Sequence, residues 1–153
     1  MESSRAQDPQ VKSRRGAAGR AERLVSARVL VAVVDDDRSV REALSVLLRH
    51  LGLSVKAFAS AETFLGSQSV AKIRCLILDV CLPGMSGPDL QRELQRRGHR
   101  LPIIFISAQS DRHLHARLRA AGAVACLTKP FDDSALLQAL DAALGGNLTY
   151  SGS

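Results

Sequence analysis

The sequence predicts an α/β fold in which five parallel strands alternate with five helices. From Val29 onward, short apolar runs rich in β-branched residues alternate with amphipathic segments, and Asp, Ser, Gly or Pro marks the changes between them. The first run, residues 29–34, is apolar throughout, as expected of a strand that helices cover on both faces. This rhythm indicates repeated right-handed βα units and therefore one doubly wound sheet.

Each predicted strand is an apolar run of strand length, and each is followed by a segment with helical periodicity or capping residues. The strands are expected at 29–34, 54–58, 75–78, 103–106 and 124–127, and the helices at 38–51, 60–66, 88–97, 111–121 and 134–144. Of the two common orders for such sheets, the flavodoxin-like order 2-1-3-4-5 is favoured.

The length and charge distribution predict one domain with short flanking segments. A chain of 153 residues suits a single core, here expected at 29–145, with a short tail at 146–153. Residues 1–28 contain seven Lys or Arg and three acidic residues, so most of the formal charge of +6 lies in this segment, which we expect to be a flexible basic extension. It contains no aromatic residue for base stacking, and no helix-turn-helix pattern follows, which argues against direct nucleic-acid binding.

Targeting and cysteine patterns point to a cytoplasmic protein. The apolar runs are far shorter than the roughly 18 to 20 residues of a membrane span, and the first segment lacks the apolar stretch of a secretory signal. Cys75, Cys81 and Cys126 are odd in number and have no metal-ligand spacing, so we expect reduced, semi-buried thiols. His113 and His115 are two residues apart and cannot share a metal on one face of a helix.

Chemically versatile residues follow four of the five strands. Asp35 and Asp36 come after the first strand and Asp79 after the third, and the predicted order reverses between these two strands. Carboxylates gathered there would repel one another unless a cation offsets them, and a hard divalent ion such as Mg²⁺ suits oxygen ligands. Asp79 could then attack phosphorus, with Ser107 and Lys129 at the ends of the fourth and fifth strands. Taken singly, these residues are typical of turns, helix caps and exposed surface; their common edge suggests a site.

Four segments carry a family resemblance when they are read in order. They are VVDDD, LILDVCLPGMSG, IIFISAQSD and LTKPFD, which lie between residues 33 and 132 and support a match that covers about residues 29 to 145. The chain resembles a receiver domain of two-component response regulators, in the chemotaxis-regulator and FixJ-like group.

The resemblance implies a phosphorelay receiver that binds Mg²⁺ and takes a phosphoryl group from a sensor histidine kinase onto Asp79. Asp35, Asp36, Asp79 and the backbone carbonyl of Cys81 are the implied metal ligands, with Asp36 the favoured direct ligand. Ser107 and Lys129 would contact the phosphoryl group in the activated form. The resemblance also implies a cis bond before Pro130, and it assigns no role to Asp37.

The resemblance further implies a switch whose output surface is formed by the fourth helix, fifth strand and fifth helix. This surface would contact a partner, an output domain or, on phosphorylation, a second copy. Many members couple the switch to an aromatic side chain three residues before the lysine, and this chain has Cys126 there. Cys81 and Gln109 stand where members tune phosphoryl lifetime. Because a cysteine orients attacking water poorly, we expect slow self-dephosphorylation. The resemblance implies a self-phosphorylating phosphoacceptor and not a turnover enzyme.

Two alternatives stay open at the level of sequence. One is a phosphorylation-independent adaptor that uses the same fold as a binding surface. The other is a haloacid-dehalogenase-like phosphatase, which also uses an Asp nucleophile. Proteins of that kind carry a D-x-D motif after the first strand, followed by a hydroxyl residue and a cap insertion. This chain does not match that combination of hydroxyl residue and cap insertion. The sequence is compatible both with a stand-alone receiver and with part of a longer regulator.

Overall fold

A computed structural model describes residues 29–146. Within this range, five strands alternate with five α-helices, and a 3₁₀ turn, Val70–Lys72, precedes the third strand. The strands are β1 (Leu30–Val34), β2 (Ser54–Phe58), β3 (Ile73–Asp79), β4 (Ile103–Ser107) and β5 (Ala125–Thr128), and the helices are α1 (Arg38–His50), α2 (Ala61–Leu65), α3 (Gly87–Arg96), α4 (Arg112–Ala120) and α5 (Asp133–Ala143). The predicted extension 1–28 and residues 147–153 of the predicted tail lie outside the described residues.

All five strands are parallel, and their order, β2-β1-β3-β4-β5, confirms the predicted flavodoxin-like arrangement. β3 begins at Ile73, earlier than predicted, because the exposed Arg74 interrupts the apolar run without interrupting the strand. In the central pairing, Val34 lies opposite Leu78, so the residues that follow β1 and end β3 emerge side by side.

Two apolar layers cover the sheet. α2, α3 and α4 cover one face, and α1 and α5 cover the other. The helix residues that enter these layers are buried and helically spaced: Phe64, Leu90, Leu94 and Leu118 on the first face, and Leu44, Leu48, Leu136 and Leu140 on the second. Since each fully buried side chain of this size contributes about 1.5 to 3 kcal/mol, these layers fix the strands and therefore their carboxyl ends.

The helices begin at capping residues that the strand-to-helix loops supply. Asp37, Ser60, Asp111 and Asp132 each accept a hydrogen bond from a backbone N–H in the first turn of their helices. Ser86 and Asp89 form a reciprocal capping box at the start of α3. In residues 29–146, none of these helices has the length and apolarity needed to cross a membrane.

Candidate functional site

Three carboxylates meet at the carboxyl ends of the two central strands. Asp35 and Asp79 are buried, with 0% and 5% of their surfaces exposed, whereas Asp36 is exposed. One carboxylate oxygen of each lies within 4.8 Å of the others. The parallel register of β1 and β3 explains this proximity, because the two strands are neighbours in the sheet and their carboxyl ends lie side by side at one edge.

The backbone around Asp35 is held by contacts on several sides. Its N–H donates to the carbonyl of Phe58 at 3.1 Å, and its carbonyl accepts from Nη1 of Arg41 at 2.8 Å. Its Oδ1 also accepts from the N–H of Asp37 at 2.8 Å. Asp35 is therefore fixed by its neighbours in β2 and α1, and Arg41 is a supporting residue that its sequence position alone did not reveal.

Asp37 belongs to the helix and not to the acidic cluster. Its Oδ1 accepts from the N–H of Ser39 at 2.9 Å and from the hydroxyl of Ser39 at 3.0 Å, which caps α1. These hydrogen bonds lower the pKa of the Asp37 carboxyl. The third aspartate of the run thus has a structural role, for which the sequence had given no assignment.

Lys129 joins the two buried carboxylates. Its Nζ lies 3.0 Å from Oδ2 of Asp35 and 3.4 Å from Oδ2 of Asp79, and 24% of the lysine side chain is exposed. The peptide bond between Lys129 and Pro130 is cis, as the resemblance implied. The backbone N–H of Lys129 donates to the carbonyl of Ser107 at 2.7 Å, which ties the end of β5 to that of β4.

The charges at this edge are unevenly balanced. Burial raises the pKa of Asp79, and the nearby charge of Asp35 raises it further, against smaller opposing contributions from Cys81 and Lys129. Burial lowers the pKa of Lys129, but its hydrogen bonds and charge interactions with Asp35 and Asp79 outweigh this effect, so that the pKa is raised. The lysine is therefore a firmly charged group, while Asp79 is a carboxylate whose ionisation the fold disfavours.

The remaining predicted residues lie at the same edge. Ser107 is buried at the end of β4, and its Oγ accepts from the N–H of Gln109 at 3.0 Å. The N–H of Cys81 donates to Oδ1 of Asp79 at 3.2 Å, so the loop after β3 contacts the acidic residue directly. The expectation of semi-buried thiols is confirmed for Cys126, which is half-buried. It is wrong for Cys75, which is fully buried inside β3, and for Cys81, which is exposed because it lies in this loop beyond the sheet.

A glycine that sequence reasoning did not single out permits close packing beside Asp79. A Cβ built on Gly87 would lie 2.4 Å from the carbonyl oxygen of Asp79 and 3.0 Å from Cα of Val80. The start of α3 can therefore press against the end of β3 only with glycine at this position. The available signal was the run of turn-forming residues that precedes Pro88.

The fold agrees with a comparison against protein families, in which the model described as "Response regulator receiver domain" matches residues 31–141. The chain belongs to the response-regulator receiver family. As a receiver domain it is a component of two-component signalling, and it is a signalling domain rather than a conventional enzyme.

Relatives of this receiver are themselves regulators. It is 48% identical over 115 residues to the response regulator protein TodT of Pseudomonas putida, covering 75% of this chain and 51% of TodT. It is 46% identical over 129 residues to nodulation protein W of Bradyrhizobium diazoefficiens, covering 84% and 56% of the two chains. The crystal structure of FixJ-N has a TM-score of 0.69 at 34% identity, covering 76% of this chain and 94% of that structure. The receiver thus spans about half the length of the curated relatives it matches.

Proposed function

We propose that this receiver accepts a phosphoryl group on Asp79 from a sensor histidine kinase and so controls an output domain or partner. The observation that carries the proposal is the meeting of Asp35, Asp36 and Asp79 with Lys129 at the carboxyl edge of the sheet. Phosphoryl transfer depends mainly on positioning and on neutralising negative charge, and this edge offers a nucleophile with both kinds of support.

The proposed step is a displacement at phosphorus. A carboxylate oxygen of Asp79 forms a P–O bond as the P–N bond of the kinase phosphohistidine breaks, and the electron pair of that bond stays on the imidazole nitrogen, which takes up a proton. Lys129, already beside the carboxylate, would pair with the phosphoryl oxygens. Water later attacks phosphorus and regenerates the Asp79 carboxylate with release of inorganic phosphate.

The residues of this edge fit Mg²⁺. Three carboxylates converge, and within residues 29–146 only Lys129 supplies an ammonium within ion-pair distance of Asp35 and Asp79. Burial, and next the charge of Asp35, raise the pKa of Asp79, as expected of a carboxylate whose negative charge is only partly offset. We assign Asp35, Asp36, Asp79 and the backbone carbonyl of Cys81 as the residues that would hold the ion. When bound, the ion would neutralise charge on the phosphoryl oxygens.

Substitution of Asp36 tests this assignment against a neighbouring aspartate. Mg²⁺ at ten times its Kd should stabilise the wild-type fold by about 1.4 kcal/mol, and Asp36→Asn should weaken binding by about tenfold or more. Asp37→Asn keeps the helix cap and should leave Mg²⁺ binding nearly unchanged. Thermal unfolding across a Mg²⁺ titration measures both variants, and equal losses in the two would contradict the assignment.

We further propose that phosphorylation is transmitted through the ends of β4 and β5 to the surface formed by α4, β5 and α5. The backbone hydrogen bond between Lys129 and Ser107 supports this route, because movement of either strand end displaces the other. Cys126 is half-buried, and its Sγ lies 3.9 Å from the carbonyl oxygen of His115 in α4. Because a thiol is smaller than an aromatic ring, movement of Cys126 would change the shape of this surface less than rotation of a ring would. This holds whether the surface contacts an output domain, a partner or a second copy.

The phosphorylated form is expected to be long-lived. Cys81 is exposed beside Asp79 but has no strong hydrogen-bonding group to orient attacking water. Cys81→Asn should therefore shorten the phosphoryl half-life by about tenfold, whereas Cys81→Ala should leave it nearly unchanged. Decay of labelled protein after removal of the phosphodonor measures this, and a wild-type half-life of only seconds would contradict the expectation.

The test of the proposed function is labelling with acetyl phosphate in the presence and absence of Mg²⁺. One phosphoryl group per chain, dependent on Mg²⁺ and followed by slow decay, is the expected result. Continuous turnover of small phosphate esters would instead identify a phosphatase, and failure to label would identify a phosphorylation-independent adaptor. The test uses the full chain of 153 residues, in which we take residues 29–145 as the receiver unit and residues 1–28 as a basic extension.

A further inference from the structure

The loop that connects Asp79 to α3 is held at both ends by backbone contacts. The N–H of Val80 donates to the carbonyl of Ile106 at 2.9 Å, and the N–H of Gly87 donates to the carbonyl of Val80 at 3.0 Å. Between these points Leu82 is buried in the apolar layer that α2, α3 and α4 cover, whereas Pro83 and Gly84 are exposed. The exposed part of the loop therefore needs a separate anchor if its conformation is to be defined.

A carboxylate from α2 provides that anchor. Oε2 of Glu62 accepts a hydrogen bond from the backbone N–H of Met85 at 2.8 Å, although the two residues are 23 positions apart. Gly84 makes room for this contact, because a Cβ at that position would lie 2.6 Å from the same oxygen. Its φ of +75° is also one that other residues rarely adopt.

α2 is built to present this carboxylate from a fixed position. Ser60 caps the helix by accepting from the N–H of Thr63 at 3.0 Å. Phe64 is fully buried and packs edge-to-face on Phe58 of β2, with ring centroids 5.4 Å apart. A buried aromatic anchor two residues from Glu62 limits where its carboxylate can lie.

We propose that Glu62 is a positioning residue for phosphoryl transfer to Asp79. The proposal rests on the proposed function and extends it, since Glu62 does not contact Asp79 itself. Its carboxylate holds Met85, the exposed part of the loop directly precedes Met85, and the N–H of Cys81 in the same loop donates to Oδ1 of Asp79 at 3.2 Å. Loss of the Glu62 contact frees the loop backbone on which both the orientation of Asp79 and the assigned Cys81 carbonyl depend.

Three substitutions at Glu62 separate its hydrogen bond from its charge. Glu62→Ala removes the acceptor, Glu62→Asp shortens the side chain, and Glu62→Gln keeps an acceptor oxygen at full reach without the charge. We expect the initial rate of acetyl phosphate labelling to fall by about fivefold in the first two variants and to be largely retained in the third. The Mg²⁺ concentration that gives half-maximal thermal stabilisation should rise by a similar factor in the first two.

Hydrogen exchange of the Met85 amide reports on the anchor without any phosphodonor. Its protection should be lost in Glu62→Ala and kept in Glu62→Gln. Glu42→Ala is the matched control, because Glu42 is an exposed glutamate that pairs with Arg38 along α1, and it should change none of these measurements.

The outcomes distinguish this inference from the function on which it rests. Absence of labelling in the wild type contradicts the proposed function, whereas wild-type labelling with an unchanged rate in Glu62→Ala overturns the positioning role alone. A lower rate in Glu62→Ala that Glu62→Gln fails to restore also overturns it, because the retained acceptor should hold the loop. Gly84→Ala and Glu62→Ala together form a double-mutant cycle. The effect of Gly84→Ala on labelling should be smaller in the Glu62→Ala background, because the carboxylate that the added Cβ would displace is already absent there.

Discussion

Asp79→Asn is expected to abolish phosphorylation, lowering the initial rate of acetyl phosphate labelling by at least about 100-fold at saturating Mg²⁺. An amide oxygen is a poor nucleophile, and the neutral side chain also withdraws one of the three carboxylates that meet at the sheet edge. The measurement is the number of phosphoryl groups incorporated per chain, detected by gel mobility or intact mass. Asp37→Asn, which removes a neighbouring carboxylate engaged in capping α1, should label like the wild type.

The same substitution should make the metal-free protein more stable. Because burial and Asp35 raise the pKa of Asp79, the folded state binds this proton more tightly than the unfolded state does. The free energy of unfolding therefore decreases as pH rises above the ordinary carboxyl pKa of 3.8 and through the higher pKa of the fold. Asparagine does not ionise, so in a chelator at pH 7 the melting temperature should increase by several degrees.

At the control position, Asp37, the pKa is shifted in the opposite direction from that of Asp79. The pKa of Asp37 is lowered by its hydrogen bonds with Ser39, so its charged form is favoured in the fold and Asp37→Asn should not stabilise the protein. A labelled Asp79→Asn protein would show that another carboxylate, such as Asp36, is the acceptor. A lower melting temperature of Asp79→Asn in chelator would show that the contact with Lys129 outweighs the burial of Asp79 and its repulsion by Asp35.

Much of this architecture follows from local sequence patterns. Apolar runs of strand length, each followed by a helical stripe or a cap, predict the five βα units, and the rule that sites form where strand order reverses predicts that Asp35 and Asp79 meet. The side chains of Asp35, Asp79 and Lys129 do lie together in the structure. This part was predictable because strand direction and order decide which residues share an edge, independently of packing details.

Other features depend on tertiary geometry and were not predictable from the sequence. The contact of Glu62 with Met85 joins a helix to a loop 23 residues away, and that of Arg41 with the carbonyl of Asp35 depends on how α1 packs over β1. The need for glycine at position 87 arises from a backbone approach and has no counterpart in hydrophobic periodicity. Such contacts depend on how distant parts of the backbone approach one another, and a single sequence carries almost no signal for them.

Lys129→Met is expected to destabilise the metal-free protein by about 2 kcal/mol. The lysine ion-pairs with Asp35, which has no exposed surface, and with Asp79, which is almost as buried. Breaking a buried ion pair leaves a charge without compensation and typically costs about 3 to 5 kcal/mol, but partial exposure of Lys129 reduces this cost. Chemical denaturation in the presence of a chelator measures the difference from wild type.

Mg²⁺ and a second substitution show whether charge is the cause. If the loss arises from uncompensated carboxylates, Mg²⁺ should restore most of the stability of Lys129→Met, because the ion supplies the missing positive charge. Adding Asp79→Asn to Lys129→Met should likewise recover part of the loss in chelator, giving a coupling energy of about 1 kcal/mol between positions 79 and 129. Additive effects in this cycle, together with a loss that Mg²⁺ does not reduce, would mean that Lys129 stabilises the fold through its packed aliphatic stem, and its electrostatic role beside Asp79 would have to be abandoned.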